Sequence, residues 1–269
     1  MEKAMIFETH AHYDDESYQE DRDTLLAAMP RQGICRVINV GAAFAGCGDS
    51  IRLAEKYEHV YAAIGIHPGN IEDWNETVCS WLKEHAAWKK TVAIGEIGLD
   101  YHWEKDLAVR QRQQEVFVSQ LALAREVELP GSIHAREAAE DTLRLMKEQH
   151  AEQIGGVIHC YSYSKELAEE FVKMGFYIGV GGVVTFKNAR KLKDTVAELG
   201  LSHIVLETDC PYMAPEPYRG SRNVSTNISY VAAAIAQLLD CSVQQVERET
   251  TENAFRLFSR VAGEQICRG

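Results

Sequence analysis

Eight short apolar runs, each followed by a stretch with helical spacing, restrict this chain to a few folds. The runs cover residues 4–7, 35–40, 60–66, 91–94, 129–133, 154–158, 176–180 and 203–206. The spacing predicts helices over 18–29, 49–57, 71–87, 107–128, 137–149, 165–173 and 189–199, then 228–239 and 243–258. The runs are continuous rather than alternating, as expected for strands buried on both faces of a parallel sheet. An open doubly wound sheet would usually carry a phosphate loop after an early strand. The one glycine cluster, Gly179-Val180-Gly181-Gly182, follows a late strand and lacks the GxGxxG spacing. The pattern therefore predicts an α/β protein, a single (β/α)8 TIM barrel over residues 1–269. No linker or low-complexity tract divides it.

Composition narrows the function classes. The formal net charge is −12, without a basic stripe. Gripping long nucleic acid through its phosphates needs a basic face, so extended non-specific DNA binding is not expected. Seven cysteines form an odd set with no CxxC pair. That speaks against a disulfide framework or zinc ribbon and fits a reducing, cytoplasmic setting. No apolar run is long enough to cross a membrane, and the N-terminal residues lack a signal-peptide pattern. No stretch marks an obligate protein partner, and a barrel ringed by helices can stand as a monomer.

Function in such a barrel sits at the C-terminal ends of the strands. Those ends carry His10 and His12, then His67, Glu96, His134, His159 and Asp209. His10 and His12 are two residues apart, so a strand places them on one face, where a single metal can reach both. Histidine and carboxylate donors without thiolates suit zinc, manganese or iron, and hold magnesium more weakly. A glutamate can bridge two cations, and two metals about 3.5–4 Å apart can activate a water and stabilise a displaced phosphodiester. Glu96 and Asp209 are the catalytic candidates, Asp209 as ligand and acceptor of the water's proton. By strand parity Glu8 and Glu207 point into the barrel one layer deeper, where each would orient a metal-bound histidine or water or simply make a structural hydrogen bond. Arg136, next to a ligand, is a candidate substrate contact. Parity turns Cys160 and Cys210 away from the metal face. Tyr161 and Tyr163 are expected to pack, as are Trp74, Trp81, Trp88 and Trp103 against helices. His102 could help to bind phosphate.

The same stretches resemble the TatD family of metal-dependent hydrolases, among the amidohydrolase-like barrels. The matching motifs are Thr9-His10-Ala11-His12, Gly65-Ile66-His67-Pro68, Gly95-Glu96-Ile97-Gly98-Leu99-Asp100-Tyr101, His134-Ala135-Arg136, Gly156-Val157-Ile158-His159-Cys160, Glu207-Thr208-Asp209-Cys210-Pro211, Arg219-Gly220-Ser221-Arg222-Asn223 and residues 252–258. The resemblance implies two divalent ions, magnesium or manganese in catalysis with zinc also accommodated. It implies that His10, His12, Glu96 and Asp209 hold one ion, and Glu96, His134 and His159 the other. It implies that His67 and Arg222 contact substrate phosphate. The implied substrate is DNA or a short oligonucleotide, cut from its 3′ end or at damaged sites. The chain departs from the family pattern at Glu8, Gly69, Tyr161-Ser162-Tyr163 and Val224-Ser225, none of them a metal ligand. Two other readings share the motif set. One is an amidohydrolase-like enzyme acting on a small amide or ester. Many such enzymes bridge their metals with a carboxylated lysine at the end of the fourth strand, where Glu96 stands here. The other is a metal-binding scaffold without activity.

Overall fold

The computed structural model describes residues 5–261. Eight strands run in parallel: β1 (Ile6–Ala11), β2 (Ile34–Gly41), β3 (Val60–Ile64), β4 (Thr91–Asp100), β5 (Gly131–Arg136), β6 (Gly156–Ile158), β7 (Phe176–Val180) and β8 (Ile204–Leu206). They pair in sequence order, each with the next. Between and after them lie α1 (Arg22–Gln32), α2 (Phe44–Lys56), α3 (Glu76–Ala86), α4 (Leu107–Glu126), α5 (Ala139–Glu148), α6 (Lys165–Lys173), α7 (Arg190–Leu199), α8 (Ile228–Leu239) and α9 (Val243–Leu257). This is the (β/α)8 barrel that the alternation predicts. The layer between barrel and helices is apolar, with Leu26, Leu82, Phe117, Phe171, Leu192 and Ile235 buried. Among the described residues no helix is long and apolar enough to cross a membrane.

Three local differences from the sequence reading have physical causes. Strand β4 continues to Asp100 instead of stopping at Ile94. Gly98 allows this: its φ is +145°, and a Cβ there would lie 1.9 Å from the His134 carbonyl oxygen. Glycine is the residue that tolerates both conditions. Helix α1 runs through Pro30 and ends at Gly33, whose left-handed conformation caps it. Pro30 has no N–H to offer the Leu26 carbonyl, so the helix passes it without that one bond. The stretch read as a helix from residue 71 opens with a 3-10 segment, Pro68–Asp73, before Asn75 caps α3. Ala4, read as the start of the first strand, lies outside the described residues.

The barrel closes between β8 and β1 with few backbone bonds. Asp209 N–H donates to the His10 carbonyl at 2.9 Å, and His12 N–H to the Cys210 carbonyl at 2.8 Å. The Thr9 hydroxyl adds a bond to the Leu206 carbonyl at 2.9 Å, and Glu8 adds more. Its carboxyl is fully buried and accepts from the backbone of His10 (3.2 Å) and Thr208 (2.9 Å) and from the Thr208 hydroxyl (2.6 Å). Glu8 therefore bonds the seam itself, not a histidine ring. Burial pushes its pKa up to about 8. Replacing Glu8 with alanine strands two buried N–H groups, each costing about 1–3 kcal/mol. The expected result is a loss of about 3 kcal/mol or more, seen as a thermal midpoint lower by about 10 °C. An unchanged midpoint would show that the seam does not depend on this residue.

Candidate metal centre

At the C-terminal mouth a cavity of about 1020 Å³ is lined by His12, His67, Glu96, His134, His159 and Asp209 among others. Glu96 stands at its centre. Its Oε2 is 3.7 Å from both His10 Nε2 and His12 Nε2. Its Oε1 is 2.7 Å from His134 Nδ1 and 2.9 Å from His159 Nε2. Asp209 Oδ1 lies 3.4 Å from His12 Nε2 and 3.9 Å from His10 Nε2. Asp209 has a left-handed backbone, φ +55°, a conformation uncommon outside glycine and found at functional sites. Four predicted histidine ligands thus converge on Glu96, and Asp209 faces two of them.

The outward nitrogens of the four ligand histidines explain how the rings are set. His12 Nδ1 is 2.8 Å from the Val40 carbonyl, which can only accept, so this nitrogen donates. His134 Nε2 is 3.2 Å from Asp100 Oδ2. His10 Nδ1 faces the Ser132 hydroxyl at 3.3 Å. His159 Nδ1 faces Glu207 Oε1 at 3.6 Å, beyond a formed hydrogen bond, so Glu207 acts on it through charge and holds the Cys160 N–H. Val40, Asp100 and Glu207 offer only acceptor atoms to the outer nitrogens of His12, His134 and His159, which leaves the inner nitrogens of these rings to face Glu96; the Ser132 hydroxyl can donate to or accept from His10. Gly179 makes room for Glu207, because a Cβ there would lie 2.4 Å from the Glu207 carboxylate.

His67 is held differently. Its Nδ1 accepts the Gly69 N–H at 2.9 Å. The neutral ring must then carry its proton on Nε2, the atom 3.7 Å from Glu96 Oε1. Burial lowers its pKa to about 4, so the ring is neutral at physiological pH. Although its Nε2 is close enough to Glu96 and His134 to complete a cluster, it presents a donor there and not a lone pair. Helix α4 fixes this segment with two buried glutamines. Gln120 accepts from Ile66 N and donates to Ile66 O, and Gln113 donates to Pro68 O while accepting from Asp100 N.

Charge follows the same geometry. Burial alone would raise the Glu96 and Asp209 pKa values, but the surrounding histidines hold both below the usual carboxylate range, Glu96 well below. Burial opposes the charged form of His12, yet the Asp209 hydrogen bond and the Glu96 charge raise its pKa to about 9. His159 and His134 are raised against the same burial penalty, by Glu96 with Glu207 and by Asp100 with Glu96 respectively. Protons occupy positions where the carboxylates call for positive charge. A buried site with nitrogen and oxygen donors and no thiolate among them fits a divalent ion.

Asp100 was legible in the sequence as part of a motif, but its role was not. In the extended β4 it follows Glu96 by four residues, the spacing that keeps strand residues on one face. Losing its grip on His134 is expected to weaken metal binding about 10–100-fold. Titration calorimetry of Asp100→Asn against wild type measures this, and equal affinities would remove Asp100 from the site.

The other predicted residues fall as follows. Arg136 lines the mouth. Arg222 instead forms a two-toothed ion pair with Asp21 at 2.6 and 2.8 Å and lies over the Tyr18 ring, away from the residues lining the cavity. Tyr161 is buried and Tyr163 bonds the Ala138 N–H, so both pack as expected. His102 is bound to Glu137 at 2.6 Å. Two expectations need correction. Cys160 is not turned into the core: a left-handed backbone at φ +47° leaves it lining the mouth. Trp103 does not pack under a helix but stands at the rim.

Residues 7–259 match the profile of the family described as TatD related DNase. The chain belongs to the TatD family of metal-dependent hydrolases. It is 44% identical over 254 residues to the uncharacterized metal-dependent hydrolase YabD of Bacillus subtilis, covering 94% of this chain and 99% of that protein. It is 34% identical over 256 residues to the hydrolase YcfH of Escherichia coli K12, covering 94% and 95%. The crystal structure of YjjV, a TatD homologue from Escherichia coli K12, superposes with a TM-score of 0.87 at 31% identity, over 96% of this chain and 99% of that one. A phosphotriesterase homology protein from Escherichia coli, at 14% identity and TM-score 0.62 over 96% and 100%, shares the fold alone. In this TatD-family hydrolase the His and Glu groups of the mouth form clusters able to hold a metal ion, with Asp209 beside His12.

Proposed function

We propose that this TatD-family hydrolase cleaves phosphodiester bonds in DNA ends or short oligonucleotides, using two divalent ions held at the mouth. The observation that carries the reading is the double face of Glu96, with His10 and His12 on one oxygen and His134 and His159 on the other. One carboxylate so placed can serve two cations. His10, His12, Glu96 and Asp209 would hold the first, and Glu96, His134 and His159 the second. When bound, such a pair supplies activation of water and neutralisation of phosphoryl charge. Magnesium or manganese suits the reaction, and the histidine-rich donors also suit zinc.

The chain's own residues supply the remainder. Asp209, at the open side of the cluster, is the acceptor for the attacking water's proton. His67 presents a neutral N–H beside Glu96, suited to donate to a phosphate oxygen. Arg136 adds a fixed positive charge at the rim. Arg222 is a substrate contact in this reading only if it exchanges Asp21 for phosphate. In this reading the enzyme works in a reducing, cytoplasmic compartment without an obligate partner, and the odd set of cysteines without a CxxC pair supports the reducing setting.

The test is hydrolysis of a short, end-labelled single-stranded DNA by metal-stripped protein, with magnesium, manganese or zinc restored singly and Glu96→Gln as control. Metal-dependent shortening that the control lacks supports the reading and gives its polarity. Two bound cations without cleavage would discard the phosphodiester and direct the search to amides and esters. Binding without turnover of any of these would leave a scaffold.

A further inference from the structure

Asp209 lies past Leu206, where β8 ends, whereas the other candidate ligands lie on a strand or one residue beyond it. Its backbone is left-handed, φ +55°, a conformation that a residue other than glycine keeps only where the surroundings impose it. The carbonyls of residues 208–212 show what imposes it. Asp209 O accepts from Tyr212 N–H at 2.9 Å, closing a turn, and Cys210 O accepts from His12 N–H at 2.8 Å. The other carbonyls of the segment go to a single residue, Asn223. Its Nδ2 donates to Thr208 O at 3.0 Å and to Tyr212 O at 2.8 Å, and its backbone N–H donates to Pro211 O at 3.0 Å.

Asn223 is fully buried and is itself fixed on every side. Carbonyl oxygens can only accept, so the amide nitrogen and not its oxygen faces Thr208 and Tyr212. The amide oxygen accepts from Val224 N–H at 3.0 Å and from Asn227 Nδ2 at 2.9 Å. The Tyr18 hydroxyl donates to the Asn223 carbonyl at 2.5 Å. Each hydrogen-bonding group of this residue is therefore in use, as a buried polar side chain requires. Asn223 is not among the residues lining the cavity, so it reaches the site only through the backbone that carries Asp209. We propose that Asn223 is the positioning residue for Asp209. By clamping the chain on both sides of that residue, it holds the carboxylate toward His10 and His12, where a divalent ion would bind.

The experiment titrates metal-stripped protein with manganese by calorimetry, for wild type, Asn223→Ala, Asp209→Asn and the double variant. Asn223→Ala is expected to weaken binding of the ion on the Asp209 side by about 10–100-fold, as removal of a group that orients a ligand does. Asp209→Asn keeps the other candidate donors, so binding stays measurable there. In that background Asn223→Ala is expected to change affinity by less than about twofold, because its route to the metal is already gone. Circular dichroism and the thermal midpoint establish that the variants fold. Undiminished affinity in Asn223→Ala overturns the proposal, and so does an equal loss in both backgrounds, which a merely structural role would give. Should Asn223→Ala not fold, Asn227→Ala repeats the cycle. It removes one donor from the amide oxygen and leaves the amide in place, and its smaller loss should likewise vanish with Asp209→Asn. The inference rests on the metal-centre reading above, yet the titration needs no substrate. A wild type that binds manganese but cuts no oligonucleotide removes the phosphodiester reading alone, and one that binds no manganese overturns the role of Asn223 as well.

Discussion

Glu96→Gln is expected to lose bound metal and turnover together, with activity lower by about 10³-fold or more, as removing several kcal/mol of metal-derived stabilisation implies. The reason is position. Both oxygens of Glu96 face inward-pointing histidine nitrogens on opposite sides. A glutamine keeps the shape but replaces one oxygen by an amide NH2, which cannot ligate and repels a cation. Its neutral charge also removes the counterion that raises His159 and His12. Metal content by atomic emission, read beside the rate on an end-labelled oligonucleotide, checks the result. Full metal content with full activity would show that Glu96 is not the shared ligand.

Metal affinity is expected to fall steeply as pH drops below about 9, and the metal-free protein is expected to show the reverse trend in stability. His12 has a folded pKa of about 9 against an ordinary 6.5. Below 9 an incoming metal must displace its proton, which lowers apparent affinity about tenfold per pH unit from this group alone. His134 and His159, also raised, add to the slope. For the metal-free fold the sign is opposite. A raised histidine pKa contributes stability that is fully present below 6.5 and is lost as pH rises through 9. From His12 that is on the order of 3 kcal/mol, a figure set by its pKa shift. Glu8, raised to about 8, acts in the same direction, since it must be ionised at a buried position as pH climbs. Thermal midpoints of stripped and metal-loaded protein between pH 6 and 9 should therefore diverge. Parallel curves would mean that protons do not occupy the metal positions.

The barrel was legible because its strands are continuous apolar runs and the intervening stretches carry helical spacing, both local properties of the chain. The candidate ligands were legible for a related reason. Parity puts His10 and His12 on one face, and the strand ends carry His134, His159 and Asp209 to a common mouth. What outer atom each histidine faces was not legible. Parity marks Glu207 as an orienting group, but Val40, Ser132 and Asp100 come from β2, β5 and β4, and nothing in their own neighbourhoods marks them as partners. Trp103 was misread because a tryptophan before a helix usually packs. Here Asp100 gathers the loop's backbone and turns the ring outward.

By itself the sequence determined the alternation of elements, the apolar interior and the identity of the donor atoms, because these depend on residue type and on spacing along one strand or helix. Only the tertiary structure decided which nitrogen of each ligand-candidate ring faces inward, that Glu8 bonds the seam, and that Arg222 is held by Asp21. These depend on distances between segments up to about two hundred residues apart in the chain. Such distances are set by closing the barrel, and no local pattern records them.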